Sequence, residues 1–204
     1  QPDRDEARRR LELDPDRPTA VYTGHIRPDK GVGALLDMAA GCPEIALLVV
    51  GGSPVEVQRL RADATARSLE NVELTGQVPI ASVPHYLAAA DVLVLPPTAR
   101  PLEEAGKTVL PMKTFSYLAA GRPILAPDLP DTAGILEHEA NCLRVTPDDP
   151  TAAAAALRRL IGDRKLSRSL GERAARDALR YTWDARARRV IRFVERRLGE
   201  LAAR

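Results

Sequence analysis

Residues 45–50 and 92–95 are apolar at every position rather than at every second one. A strand with one wet face alternates, so an unbroken apolar run requires cover on both faces. That is the situation of a parallel sheet between two helical layers, whose strands are joined by right-handed helical crossovers. The order of segments agrees. Strand-like stretches at 20–23, 45–50, 72–74, 92–95, 124–126 and 142–145 are interleaved with helix-like stretches at 32–40, 55–67, 83–89 and 112–120. The expected fold is therefore α/β, a doubly wound Rossmann-like parallel sheet of about six strands flanked by helices. Residues 1–18, with a short charged helix at 4–13 and the run Asp14-Pro15-Asp16-Arg17-Pro18, read as a lead-in rather than core. The domain proper is expected over 19–150, and 151–204 as C-terminal helices at 152–161, 166–179 and 184–201. In the last of these Ala187, Val190, Ile191, Val194, Leu198 and Leu201 recur at spacings of three and four, a stripe that calls for a partner surface.

In such a sheet, ligands sit beyond the carboxyl ends of the strands, where strand order reverses. The segments that follow strands are thus the candidate site: residues 24–31, 51–53, 75–79 and 96–111. In the first, Gly24 permits close approach of a ligand to the backbone, and Lys30 places a cation at the mouth of a helix whose free N–H groups also favour anions. The stretch 101–113 is longer than a compact strand-to-helix turn needs. Its Gly106-Lys107-Thr108 is not a phosphate loop of the GxxxxGK[ST] type, because Pro101 stands where the first glycine belongs and Pro111 would interrupt the helix. With Pro111 as first residue of the following helix, the backbone of Gly106, Lys107, Thr108, Val109 and Leu110 lies over that helix's N-terminus, where a diphosphate fits.

Composition narrows the alternatives. No apolar run approaches the length of a membrane span, and the start from Gln1 carries no secretory pattern, which reads as an internal piece of a cytoplasmic protein. Cys42 and Cys142 stand in unrelated contexts and read as buried thiols. His85 and His138 have no second ligand at metal-binding spacing, so neither metal nor cofactor is expected. Ser53, Ser82 and Ser116 lack a nucleophile-elbow setting, and Trp183 is expected to pack at the entry of the last helix. Residues 157–204 hold 15 Lys or Arg against 6 Asp or Glu, a net of +9 in a chain of net +2, which leaves −7 for residues 1–156. A basic C-terminal region suits a solvated helical face, an acidic partner domain or peripheral contact with anionic lipid at the inner membrane face; nucleic acid is not expected.

Six blocks in order carry a resemblance. They are Tyr22-Thr23-Gly24-His25-Ile26 through Lys30-Gly31; Val49-Val50-Gly51-Gly52; Leu74-Thr75-Gly76-Gln77-Val78; Val83-Pro84-His85-Tyr86-Leu87-Ala88-Ala89-Ala90-Asp91-Val92; Lys113-Thr114-Phe115-Ser116-Tyr117-Leu118-Ala119-Ala120-Gly121-Arg122-Pro123-Ile124; and Tyr181-Thr182-Trp183. From about residue 5 to the end, the chain resembles the C-terminal, donor-binding domain of family 4 (group 1) glycosyltransferases, one half of a GT-B architecture. The resemblance implies a retaining transferase that takes a nucleotide diphosphate sugar as donor substrate without a metal. The acceptor, a sugar, lipid or small molecule, would be held by an N-terminal domain absent here, and the isolated piece should be inactive.

It also implies site residues. The family's diphosphate-binding Lys falls on Lys30, but its Arg falls on His25. Gly52, Val78 and Ser116 fall in the nucleoside-binding blocks. The family's paired glutamates, spaced E-x7-E, fall on Thr108 and Ser116, neither of them acidic. A carboxylate holding ribose hydroxyls makes bonds worth about 1.5–3 kcal/mol each, against about 1 kcal/mol for a serine. Two further readings follow: a non-catalytic nucleotide-binding or scaffold module with a decayed site, and a sugar-nucleotide epimerase of the same architecture.

Overall fold

The computed structural model describes residues 2–106 and 110–202, with side chains through residue 200. Its strands are β1 (Thr19–Thr23), β2 (Ala46–Val50), β3 (Val72–Gly76), β4 (Val92–Val94), β5 (Ile124–Pro127) and β6 (Leu143–Val145). They form one all-parallel sheet in the order β3-β2-β1-β4-β5-β6. The chain moves outward from β1 to β3 and then returns to the other side of β1, so the order reverses between β1 and β4. This is the doubly wound plan the apolar runs require.

Successive buried side chains of the central strands enter opposite cores. Ala20, Tyr22, Leu47, Val49, Val92 and Val94 join one core cluster, which is completed by residues of α2 (Val32–Ala40), α3 (Pro54–Ala66) and α7 (Pro150–Gly162). Val21, Leu48, Val50 and Leu93 join the opposite cluster with α4 (Val83–Ala89), α6 (Lys113–Ala120) and Ala174 of α8 (Arg164–Ala178). Each fully buried side chain of this kind is worth about 1.5–3 kcal/mol. Helix starts follow from local chemistry. Ser53 and Glu56 form a reciprocal capping box ahead of Pro54, and Asp149 and Asp163 cap α7 and α8 through Ala152 N and Leu166 N.

Three expectations require correction. The charged N-terminal helix, α1 (Arg4–Arg10), is no mere lead-in: it packs on α4, and Ala7 and Arg8 are fully buried. The cause is Asp91, at the start of β4, which accepts from Arg4 Nε at 2.8 Å, Arg8 Nη2 at 2.7 Å and Thr19 N at 2.8 Å. The long stretch 101–113 is not all loop, since α5 (Arg100–Ala105) occupies its first half and ends at Gly106 in the left-handed conformation. Trp183, at the first position of α9 (Trp183–Ala202), is 77% exposed rather than packed. The stripe of Val190, Ile191, Val194 and Leu198 on α9 is likewise exposed in this chain. Cys42 and Cys142 are buried free thiols, as their contexts indicated.

Candidate functional site

A crevice opens where β1 and β4 part. The two strands pair at Ala20↔Val92 and Val21↔Leu93, and the pairing ends two residues before β1 does. Beyond that point Gly24 N turns to Val50 of β2 and Leu95 N to Leu125 of β5. Thr23 N, left without a strand partner on this side, donates to the buried Tyr117 hydroxyl at 2.8 Å, and Tyr117 Oη in turn lies 3.5 Å from Val94 O. Tyr117 of α6 is thus a wedge in the divergence, and burial pushes its phenol up to about 12. The wedge fills the switch point and gives the buried Thr23 N its acceptor.

The rim of the crevice is glycine. Gly24, Gly51 and Gly76 end β1, β2 and β3 with φ of +132°, +127° and +71°, and Gly51 N donates to Gly76 O at 2.9 Å. A side chain at residue 51 would collide with the Gly24 backbone, so these turns nest only as glycines. Tyr22, fully buried, donates its hydroxyl to His25 O at 2.6 Å and fixes the turn that follows.

Three cations were at stake in the sequence: Lys30, His25 and Lys107. Lys30 ends a short 3-10 turn, Pro28–Lys30, just before α2, and its ammonium lies 3.0 Å from Asp29, which also takes Arg27 at 2.8 Å. His25 is exposed at the rim, on the side of Glu56. Lys107, Thr108 and Val109 lie outside the described residues, whereas Gly106 and Leu110 flank them between α5 and α6. Pro111 accepts from Thr114 N in the turn that starts α6, so the helix begins about where proline placement predicts.

One cation escaped the sequence reading. Lys113, first residue of α6, lays its ammonium 3.7 Å from the centre of the Tyr22 ring, a cation–π contact. A side chain at residue 24 would come within 2.9 Å of that nitrogen, so Gly24 leaves the room Lys113 occupies. Among the described residues it has neither a hydrogen bond nor an ion pair. Burial, followed by repulsion from Lys30, pulls its ammonium down to about 7. The signal in the sequence was its place four residues before Tyr117, which puts both on one side of α6 and sends both into the crevice.

The nucleoside candidates are divided. Ser116 is exposed and lines a cavity of about 680 Å³ with Lys113, Met112, Phe115, Tyr181 and Trp183, in which the Phe115 and Tyr181 rings meet at a tilt of 48° with centroids 5.4 Å apart. Gly52 instead backs onto Ile26, and Val78 packs half-buried into the core beneath α4 and α6. On the α2 face of the β1 loop, a second groove of about 360 Å³ is lined by Ile26, Gly31, Thr98 and Asp148, among others. There Asp148, held at φ +59°, accepts from the Thr98 hydroxyl and from Ala99 N, tying the loop after β4 against Gly31.

Comparisons with known proteins agree with the fold. Residues 17–163 match the family described as glycosyl transferases group 1. The D-inositol 3-phosphate glycosyltransferase of Jonesia denitrificans is 26% identical over 197 residues, which take in 91% of this chain and 45% of that protein. Sucrose-phosphate synthase of Thermosynechococcus elongatus superposes with a TM-score of 0.81 at 25% identity, over 95% of this chain and 49% of that one. The fold is also that of Anabaena HepE, solved in complex with UDP-glucose, with a TM-score of 0.70 at 21% identity over 84% of this chain and 46% of HepE. The chain spans about half the length of these proteins. It belongs to the group 1 glycosyltransferases, and its sheet is the Rossmann-like half of a GT-B fold.

Proposed function

We propose that this chain binds a nucleotide diphosphate sugar for glycosyl transfer with retention of configuration, the diphosphate being held without a metal by lysine ammonium groups and backbone N–H groups. The observation that carries the reading is the crevice at the β1/β4 divergence, in which Gly24, Lys30 and the head of α6 converge in a chain of this family. Negative charge grows on the diphosphate as the glycosyl bond breaks, so fixed positive charge there stabilises the transition state more than the ground state. Relatives about twice as long support an acceptor site on a further domain. The exposed apolar stripe of α9, with Trp183 at its head, is the surface on which such a domain would dock. The isolated chain then binds donor but transfers nothing.

Calorimetric titration with UDP, GDP and ADP tests this. Binding of at least one, weakened tenfold or more in Lys30→Ala, is the expected result; no binding of any would overturn it. One observation favours a second reading, a binding module with a decayed catalytic site. Ser116 is exposed and presents a hydroxyl where the resemblance calls for a carboxylate. Donor binding by the complete protein without any glycosyl transfer would select that reading.

A further inference from the structure

We propose that Lys113 is the second diphosphate-binding cation of the crevice, held ready over the Tyr22 ring and the Gly24 backbone until the anion enters. This inference rests on the donor-binding reading above. Its ground is a set of contacts no structural role accounts for. A lysine that serves the fold reaches solvent or meets a carboxylate. Lys113 is half-buried and, among the described residues, meets no carboxylate; its nitrogen instead lies 3.7 Å from an aromatic centroid, beside a glycine whose missing side chain makes the space.

The charges around it are arranged for an anion. Lys30 repels it from the loop after β1, and Arg186 and Arg189 of α9 line the same cavity. Asp29, the nearby acid of that loop, is taken up by Lys30 and Arg27. Tyr22 and Tyr117 are phenols held neutral by burial, and Tyr181 and Ser116 add neutral hydroxyls. A dianionic phosphate between Lys30 and Lys113 relieves the repulsion and gives each ammonium an acceptor. The seat also explains how the site works with His25 where the resemblance implies an arginine. The second cation comes from the head of α6 across the crevice, not from the loop after β1.

The arrangement couples binding to a proton. With its ammonium depressed to about 7, Lys113 is largely neutral at pH 8 in the free protein, and the bound anion draws a proton onto it from solvent. Calorimetry of the full 204-residue chain with UDP, GDP, ADP and inorganic pyrophosphate at pH 8, in buffers of differing ionisation enthalpy, reads that proton directly. Expected are uptake approaching one proton per anion bound, and about tenfold or greater loss of affinity in Lys113→Met. Lys113→Arg should bind with no proton uptake, because a guanidinium is already charged. Acetylation of Lys113, followed by mass spectrometry as pH is varied, should show a midpoint near 7 and protection by the tightest-binding anion. If Lys30→Ala weakens binding while Lys113→Met binds as tightly as the parent with the same proton count, the inference fails and the donor-binding reading stands. If the parent chain binds none of these anions, both fail.

Discussion

At the amino ends of β1 and β4, the buried Arg8 guanidinium distributes its donors over the carbonyls of Ala89, Asp14, Pro15 and Arg17 and the carboxylate of Asp91. At the carboxyl ends of the same strands, Lys113 has, among the described residues, only the face of Tyr22. Burial lowers the affinity for the proton in both, but Asp91 offsets it for Arg8, whereas Lys30 deepens it for Lys113. A cation surrounded by acceptors holds a fold together, and a cation surrounded by other cations waits for a ligand. The two ends of one sheet therefore divide stability from binding.

Removing each group should separate the two roles. Arg8→Met leaves Asp91 with only Arg4 and Thr19 N and takes the Arg8 donors from four backbone carbonyls, and a loss of about 3–5 kcal/mol in denaturant unfolding is expected. A loss under about 1 kcal/mol would erase the contrast. Tyr117→Phe sharpens it from the other side, because this hydroxyl belongs to the binding end yet serves the fold. Leaving Thr23 N unpaired should cost about 1–3 kcal/mol by the same measurement.

Lys113→Met should do the opposite and raise stability by about 1 kcal/mol at pH 6. The sign depends on pH. The folded ammonium is depressed to about 7 from the usual 10.5, so between those values the unfolded chain holds the proton more tightly. The penalty is complete below pH 7 and fades as pH rises toward 10.5, so unfolding at pH 6 and pH 9.5 should show the parent gaining on Lys113→Met. Lys30→Ala breaks only a surface pair with Asp29, and thermal unfolding should shift by no more than about 0.5 kcal/mol while nucleotide binding falls.

The fold was written in hydrophobic pattern, and the switch point in the position of the glycines. Residues 45–50 and 92–95 demanded two covered faces, which only a parallel sheet with helices on both sides provides. Lys30 and Gly24 were legible because they follow a strand directly. Arg8 was not, since a charged residue in an Arg-rich helix looks like a solvated face until Asp91, 83 positions away, is brought beside it. Lys113 was missed for a related reason: its role depends on Tyr22, 91 residues earlier, and on the divergence of two strands that no local spacing records. The exposure of Trp183 was hidden as well, because an aromatic residue at a helix entry has the same pattern whether its cover comes from this chain or from another domain.

A crystal structure of the chain with the nucleoside diphosphate it binds best puts the central claim to its most direct test. The account predicts the diphosphate over Gly24, with phosphate oxygens within hydrogen-bond distance of both Lys30 Nζ and Lys113 Nζ. A diphosphate seated instead in the groove beside Gly31 and Asp148, with Lys113 still on the Tyr22 ring, would contradict it.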